Sequence, residues 1–525
     1  MADELRALPI GLQNFASLRE RNKIYVDKTD QLMRLADSVE RCFLSRPRRF
    51  GKSLTLSTLD AMFSGRAELF KGLAAEEWVK RQAQHPTPVL RIDMSSMKAN
   101  AGASELEQSI QRKLLSLART HDVPITASSI EDIFSELVEG IYEKSGQMAI
   151  LIDEYDKPIL DNIGDPAKAE TMREVLKSLY TILKSCDEYL RFLMLTGISK
   201  FSKLSIFSAM NNLRDISMNP QWGTLLGYTQ EELESNFAGW IDQTALTLNR
   251  DRSQILAQMK DFYDGFSFDG VHRLYNPFSV MNCLADANFG EYWYGSGSPS
   301  FIVGYMRRHE ILVPEEYRHL QVGVNFADAQ EIEHARAESF LYQAGYLTIE
   351  NRVEDTLTLD YPNKEVLNAI SKTYLSNIYN VEGYTPLGAQ LWKALHDGDI
   401  SEVVRLFNLG LDSFPGLIYG KAKPSEALYN ALFLMLLRGA GATCGGEMPK
   451  NQGRADAVAL FPHRALIFEF KLARKESDWD RLLEEGTTQI ALRRYDAPFA
   501  ESGKEITSAV LVIDAEKHQV VRWKA

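Results

Sequence analysis

Three runs of consecutive apolar residues end in polar ones and sit among longer stretches with helical spacing. The runs are Cys42-Phe43-Leu44, Ala149-Ile150-Leu151-Ile152 and Phe192-Leu193-Met194-Leu195. Apolar runs without alternation predict strands buried on both faces, the habit of a parallel sheet. Val89-Leu90-Arg91-Ile92-Asp93, after Pro86 and Pro88, predicts another strand. Leu54, Leu56, Leu59, Met62 and Phe63 open a helix straight after the first run, and residues 103–120, 129–144 and 166–186 repeat with helical period. Strands alternating with helices predict a parallel sheet covered on both faces. Ile24 to Thr29 predicts a short extended segment, with Thr29 or Asp30 capping the next helix.

The pattern changes further along. Residues 229–265 read as helical, and Asp264 to Gly270 as a turn-rich hairpin. Tyr275-Asn276-Pro277-Phe278-Ser279 starts another helix, and 286–325 reads as a loop-heavy connection. A helix within 329–349 is expected to stop at Gly345. A strand over Thr356 to Tyr361 and a helix opening at Pro362-Asn363-Lys364-Glu365-Val366 follow. Helix, strand, turn, strand, helix predicts a winged-helix-like module, read here as packing domains ahead of touching DNA. Residues 385–440 are largely helical, with Leu428, Leu432, Met435 and Leu436 forming an apolar seam. The expected architecture is an α/β multidomain chain: a parallel-sheet domain over 1–220, a helical connecting region over 221–325, a winged-helix-like and helical region over 326–440, and an αβ domain over 441–525.

The first apolar run leads into Arg46-Pro47-Arg48-Arg49-Phe50-Gly51-Lys52-Ser53 and then a helix. Strand, loop ending in Gly-Lys-Ser, and helix is the setting of a phosphate-binding loop. Backbone N–H groups at a helix N-terminus carry partial positive charge and attract polyphosphate. Gly51 allows close approach, Lys52 is placed to reach the β/γ-phosphates, and Ser53 to hold Mg²⁺. Arg46 stands where the usual pattern has its first glycine. Asp153 and Glu154 end the second run, where ligands sit in open α/β sheets. Asp153 is expected to hold the Mg²⁺ shell and Glu154 to polarise the attacking water. Thr196, ending the third run, is a candidate sensor of the γ-phosphate. Lys200, Lys203 and Arg214 follow it, each taken singly as solvated charge.

Net charge is −12 over 525 residues, which argues against a general nucleic-acid coat and against binding an anionic membrane surface. The basic residues around the loop, Arg41, Arg46, Arg48, Arg49 and Lys52, are a local exception. Four scattered cysteines make no C-x-x-C pair, which suits a reducing compartment. No apolar run is long enough to span a bilayer, and the N-terminus does not read as a signal peptide, so a cytoplasmic location is expected.

A second chemical site lies near the end. Ala455 to Leu460 and Ala465 to Lys471 read as a hairpin closed by Phe461-Pro462-His463-Arg464. If Leu460 faces Ala465, then Asp456 faces Glu469, with Cβ atoms roughly 4.5–5.5 Å apart. Two opposed carboxylates repel unless a cation sits between them, and a divalent metal with oxygen ligands is the natural one. Lys471 lies on the same face as Glu469. A metal with an ammonium beside it can generate hydroxide and stabilise a phosphoryl transition state. Glu447 lies upstream, and Gln489 falls on a helix spanning about 478–494 with Leu482, Leu483 and Ile490 on its buried side.

Taken with Tyr25-Val26-Asp27-Lys28-Thr29, Leu151 to Asp156, Leu195 to Phe201, Tyr263-Asp264-Gly265, Tyr275 to Ser279, Gly453 to Asp456 and Phe468 to Lys471, these stretches resemble one family. It is that of bacterial and archaeal AAA-ATPase-like proteins carrying a C-terminal PD-(D/E)XK-superfamily nuclease domain. In it Arg-Pro-Arg-Arg-Phe-Gly-Lys-Ser replaces the glycine-first loop. The resemblance implies a P-loop ATPase core of the ASCE/AAA kind, a winged-helix-like middle and a restriction-endonuclease-like αβ core. It places the nuclease residues on Glu447, Asp456, Glu469 and Lys471, with Gln489 on the following helix.

The leading expectation is an ATP-binding, Mg²⁺-dependent nuclease acting on DNA, with Mn²⁺ able to replace Mg²⁺ and nucleotide state gating the cut. The alternative is a nucleotide-switched interaction or defence-signalling protein whose nuclease-like domain is a scaffold or awaits a partner. A third is an ATPase of a mobile element. A homo-oligomer is required only if Arg48, Arg49 or Arg214 acts across a subunit interface.

Overall fold

The computed structural model describes residues 5–99, 102–200, 213–295, 300–308, 314–327, 336–378, 384–414, 424–445, 455–500 and 502–525. Glu447, Gly453, Arg454, Phe201 and Lys203 lie outside them. The chain packs as two compact units: Met1–Tyr305 with His319–Val366, and Met306–Arg318 with Leu367–Ala525.

In the first unit, β1 (Arg41–Ser45), β2 (Val89–Asp93), β3 (Met148–Asp153), β4 (Leu190–Gly197) and β5 (Arg214–Asp215) form one sheet. Its order is β2-β3-β4-β1-β5, and every pairing is parallel. All of β3 is buried, as is all of β4 except Arg191, so the unbroken apolar runs are strands covered on both faces. The helix Lys52–Phe63 follows β1, and Ala103–Thr120, Ile130–Ser145 and Pro166–Ser185 supply crossovers. Leu44, Leu56, Met62, Leu151, Met194 and Trp222 share one core. Each such side chain contributes roughly 1.5–3 kcal/mol of burial. A second core joins Ile24 and Val26 to Leu233, Ile255, Tyr263, Tyr275 and Val280.

The same unit holds an antiparallel sheet of β6 (Leu320–Gly323), β7 (Thr348–Val353) and β8 (Thr356–Asp360), in the order β6-β8-β7. The helix Ala337–Ala344 precedes β7 and stops at Gly345, whose φ of +89° is left-handed. The helix Lys364–Thr373 follows β8. The expected helix, strand, turn, strand, helix succession is present, with β6 as an added strand.

The second unit carries the helices Tyr384–Asp397, Ile400–Ser413 and Glu426–Gly439. Its sheet contains β9 (Thr443–Gly445), β10 (Ala457–Leu460), β11 (Arg464–Ala473), β12 (Glu505–Asp514) and β13 (Gln519–Lys524), in the order β13-β12-β11-β10-β9. The β11–β12 pair is parallel and the others antiparallel. The helix Trp479–Arg493 makes the crossover that a parallel pair requires.

Four local expectations change. Ile24 to Lys28 joins no strand, and Lys28 holds the N-cap position; Asp27 Oδ1 takes the Thr29 N–H at 2.9 Å and its hydroxyl at 2.7 Å. Residues 229–265 divide into the helices Gln230–Asn236, Ala238–Leu248 and Arg252–Tyr263, with capping boxes at Thr229 and Asp251 starting the first and the third. The stretch read as loop-heavy contains the helices Tyr292–Gly295 and Ser300–Arg308 as well as β6, with Ile302, Tyr305 and Met306 buried at helical spacing. The seam at Leu428, Leu432, Met435 and Leu436 widens: nearly every residue from Leu428 to Gly439 is buried.

Candidate nucleotide and nuclease sites

Adjacent carboxyl ends of β1, β4 and β3 gather the first site. Ser45 pairs with Gly197, and Ile152 with Leu195, so the loop, Thr196 and Asp153 lie side by side. Arg49 (φ +68°) and Gly51 (φ +96°) both adopt left-handed backbone. Glycine does this freely; a non-glycine residue stores on the order of 1 kcal/mol or more, a cost met mostly at functional sites. Glu154 is left-handed as well (φ +49°).

Lys52 is buried, and its Nζ donates to the carbonyls of Arg46 at 2.8 Å and Pro47 at 2.9 Å. Burial lowers its pKa, against the pull of Glu154, Asp153 and Asp156. Burial also raises the Glu154 carboxyl. Residues 48–53 and Glu154 line a pocket of about 510 Å³, a volume suited to a small-molecule cofactor. Its far walls are Tyr25, Val26 and Lys28, Leu225 to Tyr228, and Phe278 with Met281. These far walls escaped the sequence reading of chemistry; the stretches Tyr25 to Thr29 and Tyr275 to Ser279 were the only signal for part of them.

Arg46, Pro47, Thr196 and Asp153, also assigned to this site, do not line the pocket. Arg46 is 1% exposed, its guanidinium donates to the Ser45 and Ser217 carbonyls, and it stacks 4.3 Å from the Phe268 ring. Burial pushes it down to about 10. With Pro47 it lines a separate small cavity. Thr196 is fully buried and its hydroxyl donates to Asp153 Oδ1 at 2.7 Å, so it orients the acid where a γ-phosphate contact was expected. Asp153 itself is 2% exposed. Lys200 pairs with Asp215, and Arg214 is exposed.

Asp156, missed in the sequence, clamps the chain after β4. Its Oδ2 accepts from Ile198 N at 3.0 Å, Ser199 N at 2.7 Å and Ser199 Oγ at 2.5 Å. Gly197 lets this happen: a Cβ there would stand 2.6 Å from the Tyr155 ring and 2.7 Å from Asp156 Oδ1.

The second site is on the β10–β11 hairpin. Ala457 pairs with Phe468 and Leu460 with Ala465. Asp456, one residue before β10, accepts the Phe470 N–H on Oδ2 at 2.7 Å. Glu469 is 2% exposed; its Oε1 lies 2.8 Å from Lys471 Nζ, and its Oε2 is buried with no hydrogen-bond partner among the described residues. Burial raises the Glu469 carboxyl, and Asp456 adds to this against the pull of Lys471. Burial alone would lower Lys471, but its bond to Glu469 carries it upward, so it stays an ammonium. Lys471 Nζ also donates to Gln489 Oε1 at 2.8 Å, and Gln489 Nε2 donates to the Tyr495 hydroxyl at 3.1 Å. Glu426 Oε1, which sequence reasoning passed over, accepts from Leu472 N at 3.1 Å and is felt electrostatically by Glu469 and Lys471. A buried carboxylate oxygen left unpaired beside a second carboxylate suits a hard divalent cation with oxygen ligands. At the first site, Ser53 lines the pocket, and the buried Asp153 ends β3 outside that lining; both carry oxygen donors of the kind a nucleotide-bound Mg²⁺ takes.

Among the described residues, one further grouping offers metal-type ligands. His319 Nδ1 lies 2.7 Å from Glu350 and 3.6 Å from Asp360, an arrangement that the His319–Glu350 hydrogen bond accounts for. No helix among the described residues is long and apolar enough to cross a membrane.

Two family models match, one described as a predicted AAA-ATPase over residues 9–207 and one as the PD-(D/E)XK nuclease superfamily over residues 424–523. The chain belongs to the family of AAA-ATPase-like proteins with a C-terminal PD-(D/E)XK domain. Its relative described as "Uncharacterized protein in vnfD 5′region", from Azotobacter chroococcum mcd 1, is 33% identical over 482 residues, covering 89% of each chain. Among solved structures, the Orc1 protein of Aeropyrum pernix in complex with DNA is 11% identical, covering 67% of this chain and 94% of that one, with a TM-score of 0.24. Cdc6p from Pyrobaculum aerophilum is 11% identical, covering 66% of this chain and 93% of that one, with a TM-score of 0.26.

Proposed function

We propose that the chain binds and hydrolyses ATP through residues 1–220 and cuts DNA through a divalent-metal nuclease site in residues 441–525, with nucleotide state gating the cut. What carries this reading is the presence in one chain of a loop-lined pocket and a cluster of half-buried Asp456 with buried Glu469 and Lys471, in which one Glu469 oxygen has no hydrogen-bond partner among the described residues. Residues 48–53 cradle the phosphates, Ser53 and Asp153 hold the nucleotide's Mg²⁺, and Glu154 orients the attacking water. Asp456 and Glu469 hold the catalytic cation, which when bound supplies a water of lowered pKa and neutralises phosphate charge. Lys471 stays protonated beside Glu469, and Gln489 fixes its direction. Gating is inferred from the co-occurrence of the two sites.

A second reading, a nucleotide-switched interaction protein whose nuclease fold is a scaffold or awaits a partner, is favoured by one observation. Residues 441–525 carry 13 Lys/Arg and 13 Asp/Glu, so they lack a basic footprint for DNA. Calorimetric titration of Mg-ATP into the wild type and Lys52→Ala tests the first half of the proposal. Binding lost in the variant supports it, and equal binding or none in the wild type rejects it.

A further inference from the structure

Two segments form one wall of the 510 Å³ pocket: the first turn of the helix Pro277–Asp286 and the turn at Tyr292–Gly295. Both touch the loop. The Trp293 indole N–H donates to the Arg48 carbonyl at 3.0 Å, and the Arg49 guanidinium lies 4.8 Å over the Phe278 ring. One carboxylate behind the wall holds both segments. Glu365 is 0% exposed and is not part of the pocket lining. Its Oε2 accepts from Ser279 Oγ at 2.7 Å, and its Oε1 accepts from the Trp293 backbone N–H at 2.7 Å. The Tyr292 backbone N–H donates to it as well.

Three stretches that the proposed chemistry leaves without a role meet here. Asn276 Oδ1 caps the wall helix, accepting from Phe278 N at 3.0 Å and Ser279 N at 3.1 Å. Asn363 starts the helix that carries Glu365, accepting from Val366 N at 3.1 Å and donating to the Asp264 carbonyl at 2.8 Å. Gly265 (φ +97°) lets Pro362 pass, since a Cβ there would stand 2.0 Å from its carbonyl oxygen. A buried carboxyl is expensive unless its donors are well placed, and stripping the acceptor leaves those donors unsatisfied. Burial, with Glu291 nearby, pushes Glu365 up to about 8; Tyr263 and Cys283 also face it.

We propose that Glu365 is a positioning residue for the nucleotide site: by holding Ser279 and the Trp293 backbone it sets the wall that fixes Arg48 and Arg49, so triphosphate affinity depends on a side chain outside the pocket. This rests on reading the pocket as the nucleotide site. The experiment titrates Mg-ATP into full-length wild type, Glu365→Ala, Glu365→Gln and Ser279→Ala, with a melting curve of each without nucleotide. Glu365→Ala should bind at least tenfold more weakly and Ser279→Ala about threefold. Glu365→Gln, whose amide can accept from Trp293 and donate to Ser279, should return to within threefold of wild type. If wild type does not bind Mg-ATP, or Lys52→Ala binds as well as wild type, the nucleotide reading fails and the inference goes with it. If wild type binds through Lys52 but Glu365→Ala and Ser279→Ala bind as tightly and only melt lower, Glu365 is structural and the inference alone is overturned. Should Glu365→Ala not fold, Ser279→Ala decides: normal melting with undiminished affinity rejects the inference.

Discussion

Replacing Lys471 by methionine tests whether the hairpin cluster is built for a cation. The substitution keeps the apolar stem and removes the charge. Lys471 Nζ lies 2.8 Å from Glu469, with the two side chains only 9% and 2% exposed. Removing one partner from a buried pair costs about 3–5 kcal/mol. Glu469 can escape part of this by taking up a proton, because burial already raises its pKa, so the lower end applies. At about 2–4 °C per kcal/mol for a unit of this size, the melting transition of the second unit should fall by about 6–12 °C. A divalent cation offers the missing charge. Binding at a hundredfold over Kd stabilises by about 2.7 kcal/mol. Scanning calorimetry of the full chain in EDTA and in MnCl₂ should show a larger Mn²⁺ shift for Lys471→Met than for wild type. Asp456→Asn with Glu469→Gln should show no shift. Melting of Lys471→Met within 2 °C of wild type, or equal Mn²⁺ shifts in all variants, would refute this reasoning.

Other consequences follow from single residues. Arg46→Met should leave Mg-ATP affinity within threefold of wild type, read by calorimetric titration, since the guanidinium is buried and outside the pocket lining. Gly197→Ala should destabilise the first unit by about 1–3 kcal/mol, read by urea unfolding, because its Cβ meets the Tyr155 ring and Asp156. Glu365 should make stability depend on pH. Its carboxyl is raised to about 8 when folded, so the folded state keeps a proton that the unfolded chain releases above its ordinary value. Stability is therefore full at low pH and falls by a few kcal/mol as pH rises toward 8, levelling beyond it; Glu365→Gln should flatten that slope.

Much of the fold is written locally. Short apolar runs bounded by polar residues, such as Ala149 to Ile152, form strands covered on both faces, and the four-residue loop Phe461 to Arg464 implies the hairpin pairing of Leu460 with Ala465. Burial beyond the strands follows from packing between distant segments. Nothing near Arg46 says that Phe268 will cover it, and nothing near Thr196 says that its hydroxyl will turn to Asp153. The far pocket walls come from segments some two hundred residues apart, Tyr25 and Leu225 among them. Glu365 looks like any acid in a helix's first turn. Only the tertiary fold brings Ser279 and Trp293 to it.

The most direct test of the account is cleavage of plasmid, linear duplex and single-stranded DNA by the full chain with Mg²⁺ or Mn²⁺, with and without ATP. Asp456→Ala and Lys52→Ala run beside the wild type. The wild type should cut, Asp456→Ala should abolish the cutting, and Lys52→Ala should change its dependence on ATP. No cutting under any condition, with ATP still bound through Lys52, would contradict the account and favour a nucleotide-switched interaction protein.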